Sequence, residues 1–279
     1  MPELPEVETV IRSLSEIKNK RIVDVEVIKE NLLKGGINKS DFISQVCGER
    51  INDIVRKGKY IFILLDEWVI INHLRMTGKY FLKENYASKD QINHLSLIFH
   101  LDDGSKILFC DARNFATFHL QKIDEYKNIY PYKNIGLDLI NDEVSFEYLF
   151  SFFKNKKIPI KAALLEQTII SGIGNIYASE ILFLINVHPL LPTNSLSEDK
   201  IKELLIITKK ILERAIELKG SSIVDFVTPS NEKGNFQNEL KVYGKAGKNC
   251  FICAEKIERI SIDNRSTFFC PSCQKAEIN

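Results

Sequence analysis

The chain has 279 residues, enough for two domains with apolar cores of their own. Its 44% hydrophobic and 27% charged content exclude a disordered or fibrous protein, and a formal net charge of +1 excludes a uniformly basic nucleic-acid binder. No apolar run approaches the roughly eighteen residues of a membrane span, and the acidic N-terminus lacks the apolar stretch of a signal peptide, so a cytoplasmic protein with no membrane partner is expected.

The first element is an amphipathic helix from Pro5 to about Lys18, with Val7, Val10, Ile11, Leu14 and Ile17 at helical spacing. Removal of Met1 would make Pro2 the N-terminus and its ring nitrogen a free secondary amine beside Glu3. An amine that attacks and an acid that moves protons are the minimum for covalent catalysis at a sugar carbon. The same stretch is also a sound helix start. Pro5 suits a first turn, and Glu3, Glu6 and Glu8 suit its positive end. On spacing alone the structural reading is the stronger.

Residues from about 20 to 125 read as an all-β sandwich or barrel. Ile22–Ile28 alternates, and short apolar runs follow at Tyr60–Leu65, Trp68–Ile71, Leu95–Leu101 and Ile107–Cys110. Asp103-Gly104 marks a hairpin. Three turns in this region carry side chains of interest. Lys59 follows Arg56-Lys57-Gly58, His73-Leu-Arg-Met76-Thr-Gly78 ends one strand, and Asp111-Ala-Arg113-Asn-Phe115 ends another. Met76 could fill the gap left by an extruded base, Arg113 could bond a base edge, and Phe115 could stack. Singly, each also fits a plain role: Met76 and Phe115 as core, Arg113 and Lys59 as surface, His73 as a satisfied histidine.

A linker at 125–142 leads to helical periodicity over about 144–155, 160–168, 175–186 and 197–218, with Gly220 as the last stop signal. Residues 221–237 read as a long mobile loop. Ser171-Gly-Ile-Gly-Asn175 turns between two helices. Asn175 could cap the second, whose N-terminus would suit a phosphate, although a plain helix corner is the simpler reading. Lys161, with Lys154, Lys156 and Lys157, adds positive charge or a solvated face.

The strongest motif is Cys250-Phe-Ile-Cys253 and Cys270-Pro-Ser-Cys273, separated by sixteen residues. Paired C-x-x-C at this spacing is a four-cysteine zinc site. Four thiolates leave no open position, so the single Zn2+ is structural. Cys47 and Cys110 stand apart and are expected to be small buried hydrophobes.

In this order the motifs resemble the bacterial formamidopyrimidine-DNA glycosylase and endonuclease VIII family. The resemblance rests on Met1-Pro-Glu-Leu-Pro-Glu-Val-Glu8, Gly58-Lys-Tyr60, His73-Leu-Arg-Met76, Asp111-x-Arg-x-Phe115, Gly172-Ile-Gly-Asn-Ile-Tyr-Ala178, Phe236-Gln237, Val242-Tyr-Gly244 and the four cysteines. It implies an α+β multidomain protein. A β-sandwich with a catalytic N-terminal helix would span 1–130, a helical helix-two-turn-helix domain 131–237, and a zinc-finger hairpin 238–279.

The resemblance further implies a monomeric base excision repair enzyme, acting on damaged double-stranded DNA at the nucleoid. It would remove oxidised purines and cleave the strand by β,δ-elimination. Pro2 would be the nucleophile, Glu3 the proton donor and acceptor, Glu6 a support, and Lys59 a phosphate-binding catalytic residue. Met76, Arg113 and Phe115 would fill the flipped base's place. His73, Asn175, Tyr243 and Arg265 would hold phosphates, with Lys161 near the lesion. A loop at about 221–235 would cover the lesion. The chemistry agrees: a secondary amine yields a charged iminium, and an α-amino group titrates near 7.7–8.0 against about 10.4 for lysine. Asp111-Ala-Arg-Asn-Phe-Ala116 departs from the family's usual Asp-Pro-Arg-Arg-Phe-Gly, which puts the opposite-base reading in question. The rivals are an oxidised-pyrimidine glycosylase, which usually opens Pro-Glu-Gly-Pro-Glu, and a catalytically silent damage binder.

Overall fold

The computed structural model describes residues 1–83, 87–223 and 225–276. The chain divides into two compact units. Met1–Asn134 joins Leu218–Gln237, and Ile135–Glu217 joins Asn238–Asn279. This differs from the expected boundaries: residues 218–237 go with the sandwich, and the zinc hairpin shares a unit with the helices.

In the first unit, helix α1 (Leu4–Leu14) begins at Glu3 and buries Leu4, Val7, Val10, Ile11 and Leu14. Its apolar face packs beside β2 (Asp53–Lys57) and feeds the core shared with the sheets. The remaining strands are β1 (Ile22–Val27), β3 (Tyr60–Leu64), β4 (Trp68–His73), β5 (Lys79–Phe81), β6 (Leu95–Leu101), β7 (Lys106–Cys110) and β8 (Thr117–Lys122). They form two antiparallel four-stranded sheets, ordered β1-β6-β7-β5 and β2-β3-β4-β8. The sheets meet through aromatic rings: Phe109 of one lies edge-on to Phe118 of the other, with centroids 4.8 Å apart. Asp103-Gly104 makes the β6–β7 turn, Gly104 taking a positive φ.

An all-β reading of this region misses helix α2 (Lys39–Val46). Its only buried positions are Phe42 and Val46, one turn apart, so too few apolar residues recur for a helical period to show. Asn38 caps it, accepting the Asp41 N–H at 2.9 Å. A single turn, α3 (Lys89–Ile92), precedes β6.

Residues 218–237 are stitched back on themselves rather than left as an open loop. Asn235 N–H donates to the Leu218 carbonyl at 2.8 Å, Phe236 N–H to that of Gly220 at 3.0 Å, and Ser222 N–H to Gln237 Oε1 at 2.9 Å. Within this segment, which the resemblance assigns to a lesion-covering loop, Val224 lies outside the described residues.

The second unit holds α4 (Phe146–Lys154), α5 (Ile160–Leu165), α6 (Asn175–Leu184), α7 (Glu198–Glu217) and the hairpin β9 (Glu258–Ile262) and β10 (Arg265–Phe269). Helix α6 is central, with every residue from Tyr177 to Phe183 buried. It packs against α5, α7 and β10, and its Phe183 joins Val242, Cys250, Ile257 and Cys270 in one apolar cluster. That shared cluster is why the hairpin is not a body apart. Asp263 and Asn264, both at positive φ, make its two-residue turn. No described helix is long and apolar enough to cross a membrane.

Phe118→Ala removes the ring that joins the two sheets. It should cost about 3–5 kcal/mol, read as a lowered urea midpoint. A loss under about 1 kcal/mol would show that the sheets do not depend on that contact.

Candidate active site and nucleic-acid interface

In the first unit the N-terminal residues are held by their own carboxylates. Pro2, Glu3 and Glu6 are buried. Glu3 and Glu6 form a reciprocal capping box in which Glu3 N–H donates to Glu6 Oε2 at 2.8 Å. The second oxygen, Glu6 Oε1, accepts the Ser221 N–H at 2.7 Å. Glu6, 1% exposed, therefore ties the start of α1 to the base of the 218–237 segment. Gly220 permits this approach: it sits at φ +75°, and a Cβ there would stand 2.7 Å from Glu6 Oε1.

Lys59 lies in the β2–β3 turn. Arg56, buried on β2, spans that turn and the helix. Its Nε donates to Glu8 Oε2 at 3.0 Å and its NH1 to the Gly58 carbonyl at 3.0 Å. Glu8 and Arg56 carry no sequence signal of this role, because surface ion pairs look the same in one dimension. His73 ends β4, its ring edge-on to Tyr60 at 4.6 Å. Burial, then the Arg75 and Lys59 charges, hold its pKa down to about 3. Arg75 N–H donates to Nδ1 at 2.9 Å, so Nε2 keeps the proton and can donate it to a phosphate.

Met76 and Phe115 are 42% and 53% exposed, so neither is core. The Arg113 guanidinium lies 4.8 Å from the Phe115 ring centroid. Two turns carrying large, water-exposed apolar tips and a stacked guanidinium suit insertion among bases better than packing.

In the second unit, Asn175 occupies the first position of α6 and Gly174 is the cap, a correction to the expected Asn175 cap. The Asn175 side-chain amide donates instead to the Ser266 carbonyl at 2.8 Å. That sets it beside exposed Arg265 on β10 and leaves a second amide hydrogen for a ligand. Lys161, expected near the lesion, is 0% exposed. Its Nζ donates to the Asn175 carbonyl at 3.2 Å and to Ser179 Oγ at 2.5 Å. It holds the start of α6, the helix whose first residue is Asn175. Tyr243 stands edge-on to Phe268, and its N–H donates to Glu180 Oε1 at 2.7 Å.

Two polar groups here, buried Glu180 and half-buried Gln167, escape sequence reasoning. Glu180 on α6 also accepts from Lys241 and Val242 N–H, and burial holds its pKa above the ordinary carboxylate value against those three donors. Gln167 spans the glycine turn, accepting from Gly172 N–H and donating to the Ile173 carbonyl, both at 2.9 Å.

The four cysteine sulfurs of Cys250, Cys253, Cys270 and Cys273 lie within 4.8 Å of one another. Tetrahedral Zn–S bonds of about 2.3 Å put sulfurs about 3.8 Å apart, and the Cys250–Cys273 and Cys253–Cys270 separations of 3.9 and 3.4 Å fit that spacing. These residues hold one structural zinc. Gln274 braces the second knuckle, accepting from Cys270 N–H and donating to the Val187 carbonyl.

Family models match nearly the whole chain. They are the formamidopyrimidine-DNA glycosylase N-terminal domain over residues 1–118, its H2TH domain over 135–227, and a zinc finger found in FPG and IleRS over 247–276. The chain belongs to the formamidopyrimidine-DNA glycosylase family. It is thus a DNA glycosylase of base excision repair, in a family with AP lyase activity. The formamidopyrimidine-DNA glycosylase of Mycoplasmopsis pulmonis is 40% identical, over 99% of this chain and 98% of that one. A Lactococcus lactis FPG mutant, in complex with Fapy-dG containing DNA, has a TM-score of 0.90 at 35% identity, covering 99% of this chain and 100% of that one. The wild-type L. lactis FPG, in complex with DNA containing an oxidized pyrimidine, has a TM-score of 0.89 at 34% identity and the same coverage.

Two outcomes follow from this geometry. An unfolded histidine takes its proton near pH 6.5 and His73 only near 3, so this group withdraws stability as pH falls from about 6.5 towards 3. The His73 ring resonances of the free protein should stay flat between about pH 5 and 8, and a midpoint inside that window would contradict the neutral donor. Chelation of zinc should speed amide exchange across 250–274 while β1–β8 keep their protection. Unchanged exchange in the hairpin would remove the metal from its folding.

Proposed function

We propose that this glycosylase excises oxidised purines, such as 8-oxoguanine and formamidopyrimidines, from duplex DNA at the nucleoid and then cleaves the abasic strand. The observation that carries the reading is the buried N-terminal Pro2-Glu3 pair clamped by Glu6. Once Met1 is removed, the Pro2 nitrogen attacks C1′ and displaces the damaged base. Glu3 protonates the sugar-ring oxygen, the C1′–O bond opens, and a Pro2 iminium remains. Its positive charge acidifies the C2′ proton. Loss of that proton expels the 3′ phosphate, a second elimination expels the 5′ phosphate, and water releases the enzyme.

The rest of the site serves that nucleotide. Met76, Arg113 and Phe115 fill the gap in the stack, which offsets a base-extrusion cost of a few kcal/mol. Arg113 faces the orphaned base. Lys59 and the neutral His73 bind phosphates beside the lesion, and Asn175, Tyr243 and Arg265 bind phosphates from the second unit. Support for a broader lesion range comes from the L. lactis complex with an oxidized pyrimidine, whereas Leu4 favours the purine reading.

Excision of 8-oxoguanine opposite cytosine should exceed that of thymine glycol by at least about tenfold in kcat/KM. Clear preference for the pyrimidine would reverse the assignment. A variant that retains Met1, or a tag ahead of Pro2, should lose excision yet bind an abasic-site duplex with nearly the wild-type Kd. Full activity in that variant would exclude the Pro2 amine.

A further inference from the structure

We propose that the Thr77 hydroxyl and the Asp111 carboxylate form a latch that locks the 74–78 and 111–116 turns into a single wedge. The inference rests on the base-extruding reading of Met76, Arg113 and Phe115. Both turns cross between the sheets, 74–78 from β4 to β5 and 111–116 from β7 to β8. The ladders pair the residues that flank them, His73 with Thr117 and Lys79 with Cys110, but no ladder pair falls between 74–78 and 111–116 themselves.

A closed set of hydrogen bonds joins the turns beyond those pairs. Thr77 Oγ1 donates to Asp111 Oδ1. Arg113 N–H is shared between Thr77 Oγ1 at 3.1 Å and Asp111 Oδ1 at 3.2 Å. Ala116 N–H donates to Asp111 Oδ2 at 2.8 Å. Asp111 is buried, so its carboxylate cannot fall back on water when a donor is lost. Two of its three donors, Arg113 and Ala116 N–H, bracket Asn114, which sits at φ +53° and turns the chain so that Arg113 and Phe115 project outward. On the other side Gly78 seals the turn: a Cβ there would stand 2.6 Å from the Leu74 carbonyl oxygen and 2.9 Å from the Phe109 ring.

The latch thus places Met76, one residue before Thr77, in a fixed relation to the Arg113–Phe115 pair. A wedge of three side chains offsets unstacking only if all three arrive together. With loose turns, part of that stabilisation goes into ordering them. Thr77 and Asp111 are positioning residues. They touch neither the sugar nor the nucleophile.

Thr77→Val keeps the side-chain shape and removes the donor, and Thr77→Ser restores it. Base excision from an 8-oxoguanine:cytosine duplex requires extrusion, whereas cleavage of a preformed abasic site has no base to extrude. Thr77→Val should lose about tenfold more kcat/KM on the first substrate than on the second, the worth of one hydrogen bond to a charged acceptor, with Thr77→Ser close to wild type. Equal losses on both substrates, or none on the first, overturn the latch. Amide exchange at Arg113 tests it apart from activity. Thr77→Val should accelerate that exchange about tenfold, and an unchanged rate overturns the proposal even if the wild type excises nothing. Failure of the wild type to excise any lesion would instead strike the functional reading.

Discussion

Both oxygens of one buried carboxylate are committed: Glu6 accepts the Glu3 N–H with one and the Ser221 N–H with the other. An N-terminal amine is a poor nucleophile unless its position is fixed, and chain termini are ordinarily the least ordered part of a domain. Here the terminus is fixed twice. The apolar face of α1 sinks into the sandwich core, and Glu6 joins the start of the helix to a segment more than two hundred residues downstream. Gly220 is the necessary partner, since any side chain there would meet the carboxylate. The same interaction ties residues 218–237 to the first unit, together with Leu82 N–H donating to the Pro229 carbonyl and Phe226 packed on the sandwich core.

A common arrangement runs through the rest of the site. The groups assigned to touch DNA sit on turns or at the ends of strands and helices, and buried polar side chains hold the backbone beside several of them. Arg56 holds the Gly58 carbonyl beside Lys59, the His73 ring holds Arg75 N–H, and Asp111 holds Arg113 and Ala116 N–H. In the second unit Glu180 holds Lys241 to Tyr243, Lys161 holds the start of α6, and Gln274 holds the second cysteine knuckle. A buried polar group left without its partners is costly, so these braces resist rearrangement when DNA engages the groups beside them.

Much of this was legible from the chain. Strand alternation and the four helical segments of the second unit stand within a few residues of their observed ends, and the cysteine spacing implied the metal site. Those features are local, and period or spacing records them. What escaped was non-local. The allegiance of 218–237 depends on contacts far along the chain, the Ser221 N–H on Glu6, the Pro229 carbonyl on Leu82 N–H and Phe226 on the sandwich core. Lys161 reads as surface because lysines usually are, and only the approach of α6 buries it. Asn175 looks like a cap because asparagine often is one, but Gly174 takes the extended cap position and the Asn175 amide N–H turns to the Ser266 carbonyl. Thr77 has no signal at all, since its partner lies 34 residues away in another turn.

The central claim is that the clamped N-terminal amine is the nucleophile. Borohydride reduction on an abasic-site duplex, followed by protease digestion and mass spectrometry, locates the covalent sugar adduct directly. The expected product is a cross-link on the peptide that begins at Pro2, carried by the proline nitrogen. An adduct on Lys59 or any other lysine, or none with Met1 correctly removed, would contradict that claim.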